Sequence, residues 1–251
     1  MNFENVIDAG RLRECIDTGT GKGVRIGILD SGVASDLPEL EGSVKGNFDV
    51  VQNRGGGIVI EEIPKGYDPI DHGTACAYII HRNAPDAELY SVRVIGQTHS
   101  ATTKKLLAAM EFAIDQNWDV LNLSLGNETP TTELCHLADR AYYQDTLIVA
   151  AKDNKRHKIG FPAAFSSVVS VDMDFFENPL DFRFHPGRET EIDAFGVYVE
   201  APTSSGKRQS YTGTSFACPH ITAIAARLRE SFPNLSPFQL KTALAALGKT
   251  D

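Results

Sequence analysis

The 251-residue chain is poor in cysteine and in basic charge, and it has no long apolar stretch. Its four cysteines, Cys15, Cys76, Cys135 and Cys218, are scattered, with no Cys-x-x-Cys pair. That spacing argues against a zinc site and against a dense disulfide framework, and it suits thiols kept reduced in a cytosol. Lys and Arg number 24 against 33 Asp and Glu, a formal net charge of −9. Long-range repulsion from such a surface opposes non-specific binding to nucleic acid or to anionic lipid. No apolar run approaches the roughly 20 residues a spanning helix needs, so no membrane partner is expected. The opening MNFENVIDAGRLREC has neither the basic start nor the apolar core of a signal peptide. A cytoplasmic protein is expected if Met1 is the native start, and a secreted one if the chain was trimmed from a precursor.

What is present is the composition of a core-forming chain, 42% hydrophobic and 23% charged. One core can serve this length, and no repeat, low-complexity tract or linker divides it, so a single domain over 1–251 is expected. Short β-branched runs at 24–29, 88–94, 120–123, 146–151 and 168–171 alternate with helical-period segments at about 73–83, 102–117 and 132–144. The alternation predicts an α/β fold, a doubly wound and mainly parallel sheet with helices on both faces. Residues 172–209 carry Pro179, Pro186 and Pro202 and read as loops with short antiparallel strands. Helices are expected from about 215 to 231 and from 237 to 247.

Three segments carry chemistry. In Gly27-Ile28-Leu29-Asp30-Ser31-Gly32-Val33 an apolar strand ends at a carboxylate. Ligands bind at the carboxyl ends of such strands, although an aspartate before Ser-Gly is also ordinary turn chemistry. In Asp71-His72-Gly73-Thr74-Ala75-Cys76-Ala77 a histidine opens a helix of small residues, where it can titrate near neutral pH. His81, His99, His136, His157, His185 and His220 have no such context and read as surface or packing residues. In Gly213-Thr214-Ser215-Phe216-Ala217-Cys218-Pro219-His220 a serine opens an apolar helix, with Gly213 leaving room for a substrate backbone and Pro219 read as lying in the first turn. The free amides of that helix start suit a developing oxyanion.

Together these segments resemble the subtilisin-like serine protease family, whose signatures D-[ST]-G, H-G-T and G-T-S occur in this order. The likeness runs from about Gly21 to Leu228 and includes Asn122-Leu123-Ser124-Leu125-Gly126 and Phe161-Pro162-Ala163-Ala164. The resemblance implies a serine endopeptidase with polypeptide substrates. Ser215 would attack the scissile carbonyl, His72 would relay the proton and Asp30 would hold the imidazole. It also implies that substrate pairs as an added strand along Ser124, Leu125 and Gly126 and along a second edge near 96–100. Gly160 would then lie at the base of the specificity pocket.

One stretch departs from the family. Relatives carry Ala-Ala-Gly-Asn, whose asparagine donates to the oxyanion, whereas this chain reads Ala150-Ala151-Lys152-Asp153-Asn154. Gapless matching puts Asp153 in the donor position, where an ionised carboxylate cannot donate. A one-residue bulge would bring Asn154 there instead. With Asp153 as the donor, Asp153→Asn would raise turnover or leave it unchanged.

Cys76 and Cys218 each lie about one helical turn from a site residue and read as small buried hydrophobes, within reach of mercurials. Only 81–84 links the histidine helix to the next strand, where many relatives carry a calcium loop, so no cofactor is expected. A cytoplasmic processing enzyme, such as one that removes leader peptides, fits these features. The competing readings are a peptide-binding module that has lost turnover, supported by Lys152-Asp153, and a non-peptide esterase.

Overall fold

Arg25–Asp30 forms the central strand β1, and five of its six residues are buried. A strand so enclosed must be covered on both faces, and two clusters of buried side chains lie against it. The computed structural model describes residues 8–97, 101–155 and 158–249.

The other strands are β2 (Val44–Gln52), β3 (Ile58–Glu62), β4 (Glu88–Arg93), β5 (Val120–Leu123), β6 (Leu147–Ala151), β7 (Val168–Asp174), β8 (Phe182–Phe184), β9 (Ile192–Phe195), β10 (Val199–Pro202) and β11 (Arg208–Tyr211). Nine of them form one sheet in the order β3-β2-β4-β1-β5-β6-β7-β9-β8, and β10 and β11 form a separate antiparallel pair. Only β3 and β8, at the two edges, run antiparallel to their neighbours. The mainly parallel α/β sheet expected from the sequence is therefore present.

The helices are α1 (Ala9–Thr18), α2 (His72–Asn83), α3 (Thr103–Asp115), α4 (Thr132–Tyr143), α5 (Thr214–Ser231) and α6 (Pro237–Leu247). Residues of α1, α2, α5 and α6 contribute to one core cluster, and those of α3 and α4 to the other. The central helix α5 is almost wholly buried. Because β1 pairs with β4 on one side and β5 on the other, the strand order reverses there. A crevice opens at such a point, beyond the strands' carboxyl ends, and Asp30 stands at its lip.

Three findings differ from the sequence reading. Strands β2 and β3 and helix α1 had no clear signal: β2 includes Gly46, Asn47 and Asp49, β3 is an edge strand, and α1 buries only Leu12 and Ile16. The 172–209 region is not purely antiparallel, since β9 pairs parallel to β7. Pro219 is not in the first turn of α5 but inside the helix, five residues after Thr214.

Candidate active site

Asp30 is fully buried at the end of β1. Its Oδ1 accepts from the Ser31 amide at 2.7 Å and lies 2.7 Å from His72 Nδ1. His72 is the first residue of α2. Gly73 lets that helix start approach β1, because a Cβ there would lie 2.2 Å from the Gly32 carbonyl oxygen. Burial disfavours the imidazolium, but the charge and hydrogen bond of Asp30, helped by the charge of Asp68, outweigh it and hold the His72 pKa above its ordinary value.

Asp68 was not singled out in the sequence, although it lies four residues before His72. It is buried, and its Oδ1 accepts from the amides of Ile70 and Asp71 and from Ser31 Oγ, at 3.1, 3.1 and 2.8 Å. Its Oδ2 accepts the Thr74 amide at 2.8 Å. The N-cap residue Asp71 makes no side-chain cap, so Asp68 satisfies that orphan amide in its place. Asp71 instead turns outward with φ 67°, and its Oδ1 accepts the Ser204 amide at 2.7 Å.

Ser215 is the second residue of α5. Its Oγ donates to the Ser124 carbonyl at 3.1 Å, its one hydrogen-bond partner among the described residues. The Ser215 carbonyl would ordinarily accept the amide of residue 219, but proline has none. Ser124 Oγ donates to it at 2.8 Å, and Cys76 Sγ donates at 3.4 Å. The carbonyl that Pro219 leaves open thus ties α5 to the end of β5 and to α2. Phe216 makes tilted contacts with the rings of His72 and Tyr211, with centroids 5.2 and 4.6 Å away.

Asn154, not Asp153, reaches the Ser215 turn. Its Oδ1 accepts the Thr214 amide at 3.1 Å, which leaves Nδ2 as the side chain's donor. Thr214 Oγ1 donates to the Lys152 carbonyl at 2.6 Å and fixes the same turn. No bulge is needed, because β6 and β7 keep register through Ala151 and Val171, and the Lys152 amide continues to the Val171 carbonyl. Of the two residues the sequence left open, Asn154 bonds the Thr214 turn, while Asp153 Oδ1 accepts the Lys155 amide at 2.9 Å.

Ser124, Leu125, Gly126, Gly160, Asp153, Asn154 and Ser215 line one cleft of about 260 Å³. Its walls are joined by the antiparallel bridge between Asn127 and Phe161. A Cβ on Gly126 would lie 2.7 Å from the Phe161 carbonyl oxygen, so only glycine allows the walls this close. At Gly213 a Cβ would make only ordinary contacts, the nearest at 3.5 Å from Asn154 Oδ1. The second substrate edge expected at 96–100 falls partly on residues 98–100, outside the described residues.

Cys76 and Cys218 are buried, and burial pushes the Cys218 thiol up to about 12 and Cys76 well above its ordinary value. Among the described residues, one group could hold a metal ion: Asp30, His72 and Cys76, whose ligand atoms lie within 4.8 Å of one another. A soft cation there would compete with the Asp30–His72 hydrogen bond. Of the other histidines, His220 is buried on Asn83 Nδ2 at 3.3 Å, His185 meets Asp193 at 2.6 Å, and His99 and His157 lie outside the described residues.

Known proteins resemble this chain over most of its length. The subtilase family matches residues 21–246. Subtilisin DY of Bacillus licheniformis is 30% identical over 241 residues, covering 90% of this chain and 84% of that protein. Subtilisin E of Bacillus subtilis (strain 168) is 30% identical over 239 residues, and this chain spans 60% of its length. Among solved structures, the S41 psychrophilic protease has a TM-score of 0.78 at 26% identity, covering 93% of this chain and 87% of that one. Sphericase, at 24% identity and TM-score 0.77, shares the fold. The chain belongs to the subtilase family, the subtilisin-like serine endopeptidases.

Proposed function

We propose that Asp30, His72 and Ser215 hydrolyse peptide bonds through an acyl-enzyme. The observation that carries this is the 2.7 Å contact between buried Asp30 and His72 Nδ1, which directs Nε2 to act as base. In the free protein Ser215 Oγ rests on the Ser124 carbonyl. An incoming substrate strand pairs its own amide with that carbonyl, displaces the hydroxyl and turns it toward the imidazole. Such catalytic hydrogen bonds commonly tighten only with substrate bound. His72 then takes the Ser215 proton and later delivers it to the leaving amine. The Ser215 amide at the start of α5 and Asn154 Nδ2 face the developing oxyanion.

A narrower role follows from the thiols. All four cysteines are free, and two of them lie against the site, which favours work in a reducing compartment. We place the protein there as a processing protease acting on defined peptides, leader peptides included. No helix among the described residues is long and apolar enough to cross a membrane.

The test is digestion of a diverse peptide library by the intact protein and by Ser215→Ala, with a fluorophosphonate probe read by mass spectrometry. Labelling at Ser215 and cleavage lost in the variant are expected. A competing reading, a peptide-binding module without turnover, draws on the resting contact of Ser215 Oγ with Ser124. Peptide binding without labelling or cleavage would establish that reading instead.

A further inference from the structure

The cleft beside Ser215 seats the side chain of the residue whose carbonyl is attacked. At about 260 Å³ it is smaller than the ~300–1,000 Å³ of whole small-molecule sites, a size for a single side chain. We infer that Asp153 makes this cleft select lysine or arginine at that position. The inference rests on Ser215 being the nucleophile.

Gly160 has no side chain, and the Cβ of Asp153 lies 3.4 Å from where a Gly160 Cβ would stand. The Asp153 amide is tied to the Ile159 carbonyl at 2.7 Å, which fixes the Asp153 backbone against this segment. Asp153 and Gly160 therefore line the same part of the cleft, and the glycine leaves the space beside the aspartate open.

The cations nearest Asp153 among the described residues are paired elsewhere, Lys155 keeping only an electrostatic attraction to it. Lys152 Nζ is engaged by Asp172 at 2.6 Å. Lys155 Nζ is bonded to Glu128, and Lys158 Nζ reaches the same carboxylate at 3.4 Å. Those hydrogen bonds hold the Glu128 pKa below its ordinary value. Among the described residues no cation lies within ion-pair range of Asp153, whose Oδ1 takes only the Lys155 amide. An apolar guest would strip water from this charge without replacing it, which is costly. A guanidinium or ammonium restores a charge-assisted hydrogen bond.

The experiment uses matched tetrapeptide p-nitroanilides that differ only in the last residue, Arg, Lys, Leu, Phe or Glu. They are assayed with the intact protein, Asp153→Asn and Asp153→Gly, and melting curves check that both variants fold. The intact protein is expected to prefer Arg and Lys over Leu by about tenfold or more in kcat/KM. In either variant that ratio falls by about tenfold to a hundredfold, the range for losing a hydrogen bond to a charged group. A ratio unchanged in both variants, or an intact protein that prefers Leu or Phe, overturns the role of Asp153. A protein that cleaves none of the five and is not labelled at Ser215 by fluorophosphonate overturns the proposed catalysis itself.

Discussion

Ser124 and Ser215 hold each other by two reciprocal hydrogen bonds, each hydroxyl donating to the other residue's carbonyl, at 2.8 and 3.1 Å. Behind them Asn122 Nδ2 donates to Ser124 Oγ at 3.0 Å, and Thr222 Oγ1 donates to Asn122 Oδ1 at 2.9 Å. The end of β5 and the first turns of α5 thus share one buried polar chain.

Ser124→Ala removes the Ser124 hydroxyl from the Ser215 carbonyl and from Asn122. The expected cost is about 1–3 kcal/mol of stability, because buried polar groups lose partners. Turnover should fall by about tenfold, within the ~10²-fold that a 1 Å misplacement of reacting groups can cost. Urea denaturation and steady-state kinetics check both figures. Unchanged stability would show that Cys76 alone satisfies the carbonyl.

Asp68→Asn removes a buried negative charge that favours the His72 imidazolium. The other titratable groups of the site stay in place: Asp30 on β1, Cys76 on the same helix, Tyr211 on β11, Cys218 on α5, and Asp71, held by Ser204. In the proposed mechanism the base is neutral imidazole, so kcat/KM is expected to fall as pH drops through the His72 pKa. Without the Asp68 charge that pKa is lower, and the acid limb of the pH profile moves to lower pH. A pH–rate series on the variant measures the direction, and a limb that stays put would mean that Asp68 serves only as a helix cap.

His220 is buried, and burial, with the charge of Arg82, lowers its pKa to about 3. The unfolded chain binds that proton near its ordinary value of ~6.5. Between these limits the unfolded state holds the extra proton, so the stability linked to His220 is present above pH ~6.5 and is lost as pH falls toward 3. The loss is on the order of a few kcal/mol. Denaturant midpoints measured across this window should show the fall, and His220→Phe should flatten it.

The thiols should sort by burial. Cys15 and Cys135 are partly exposed, while Cys76 and Cys218 are enclosed with raised pKa values. At pH 8 iodoacetamide should modify the first pair in the folded protein and the second only after denaturation, since the thiolate is the reactive form. A mercurial, whose bond to sulfur is tight enough to trap transient local openings, should inhibit turnover slowly through Cys76, and Cys76→Ala should remove that sensitivity. Peptide mapping of modified sites checks the first expectation and residual activity the second.

The strands that carry Asp30 and Asn122 were legible because enclosure in a parallel sheet favours short, mainly apolar runs, interrupted only by Arg25 and Gly27 in Val24–Leu29 and by Asn122 in Val120–Leu123. Strand β2 was hidden because half-exposed positions and Asn47 and Asp49 break both periods. The residue types Asp, His and Ser, each beside a small neighbour, marked the chemistry without any coordinates. By themselves those residues pointed to the family and to the kind of reaction it catalyses. Which asparagine or aspartate meets the Ser215 turn was a matter of where β6 ends and of the hydrogen bond that Thr214 offers. Asp68 as the cap of the His72 helix, and the use of Ser124 and Cys76 to satisfy the carbonyl left open by Pro219, also required the folded chain. These contacts join residues up to 139 positions apart, and a hydrogen bond's partner is selected by distance and direction in space, which local sequence pattern does not contain.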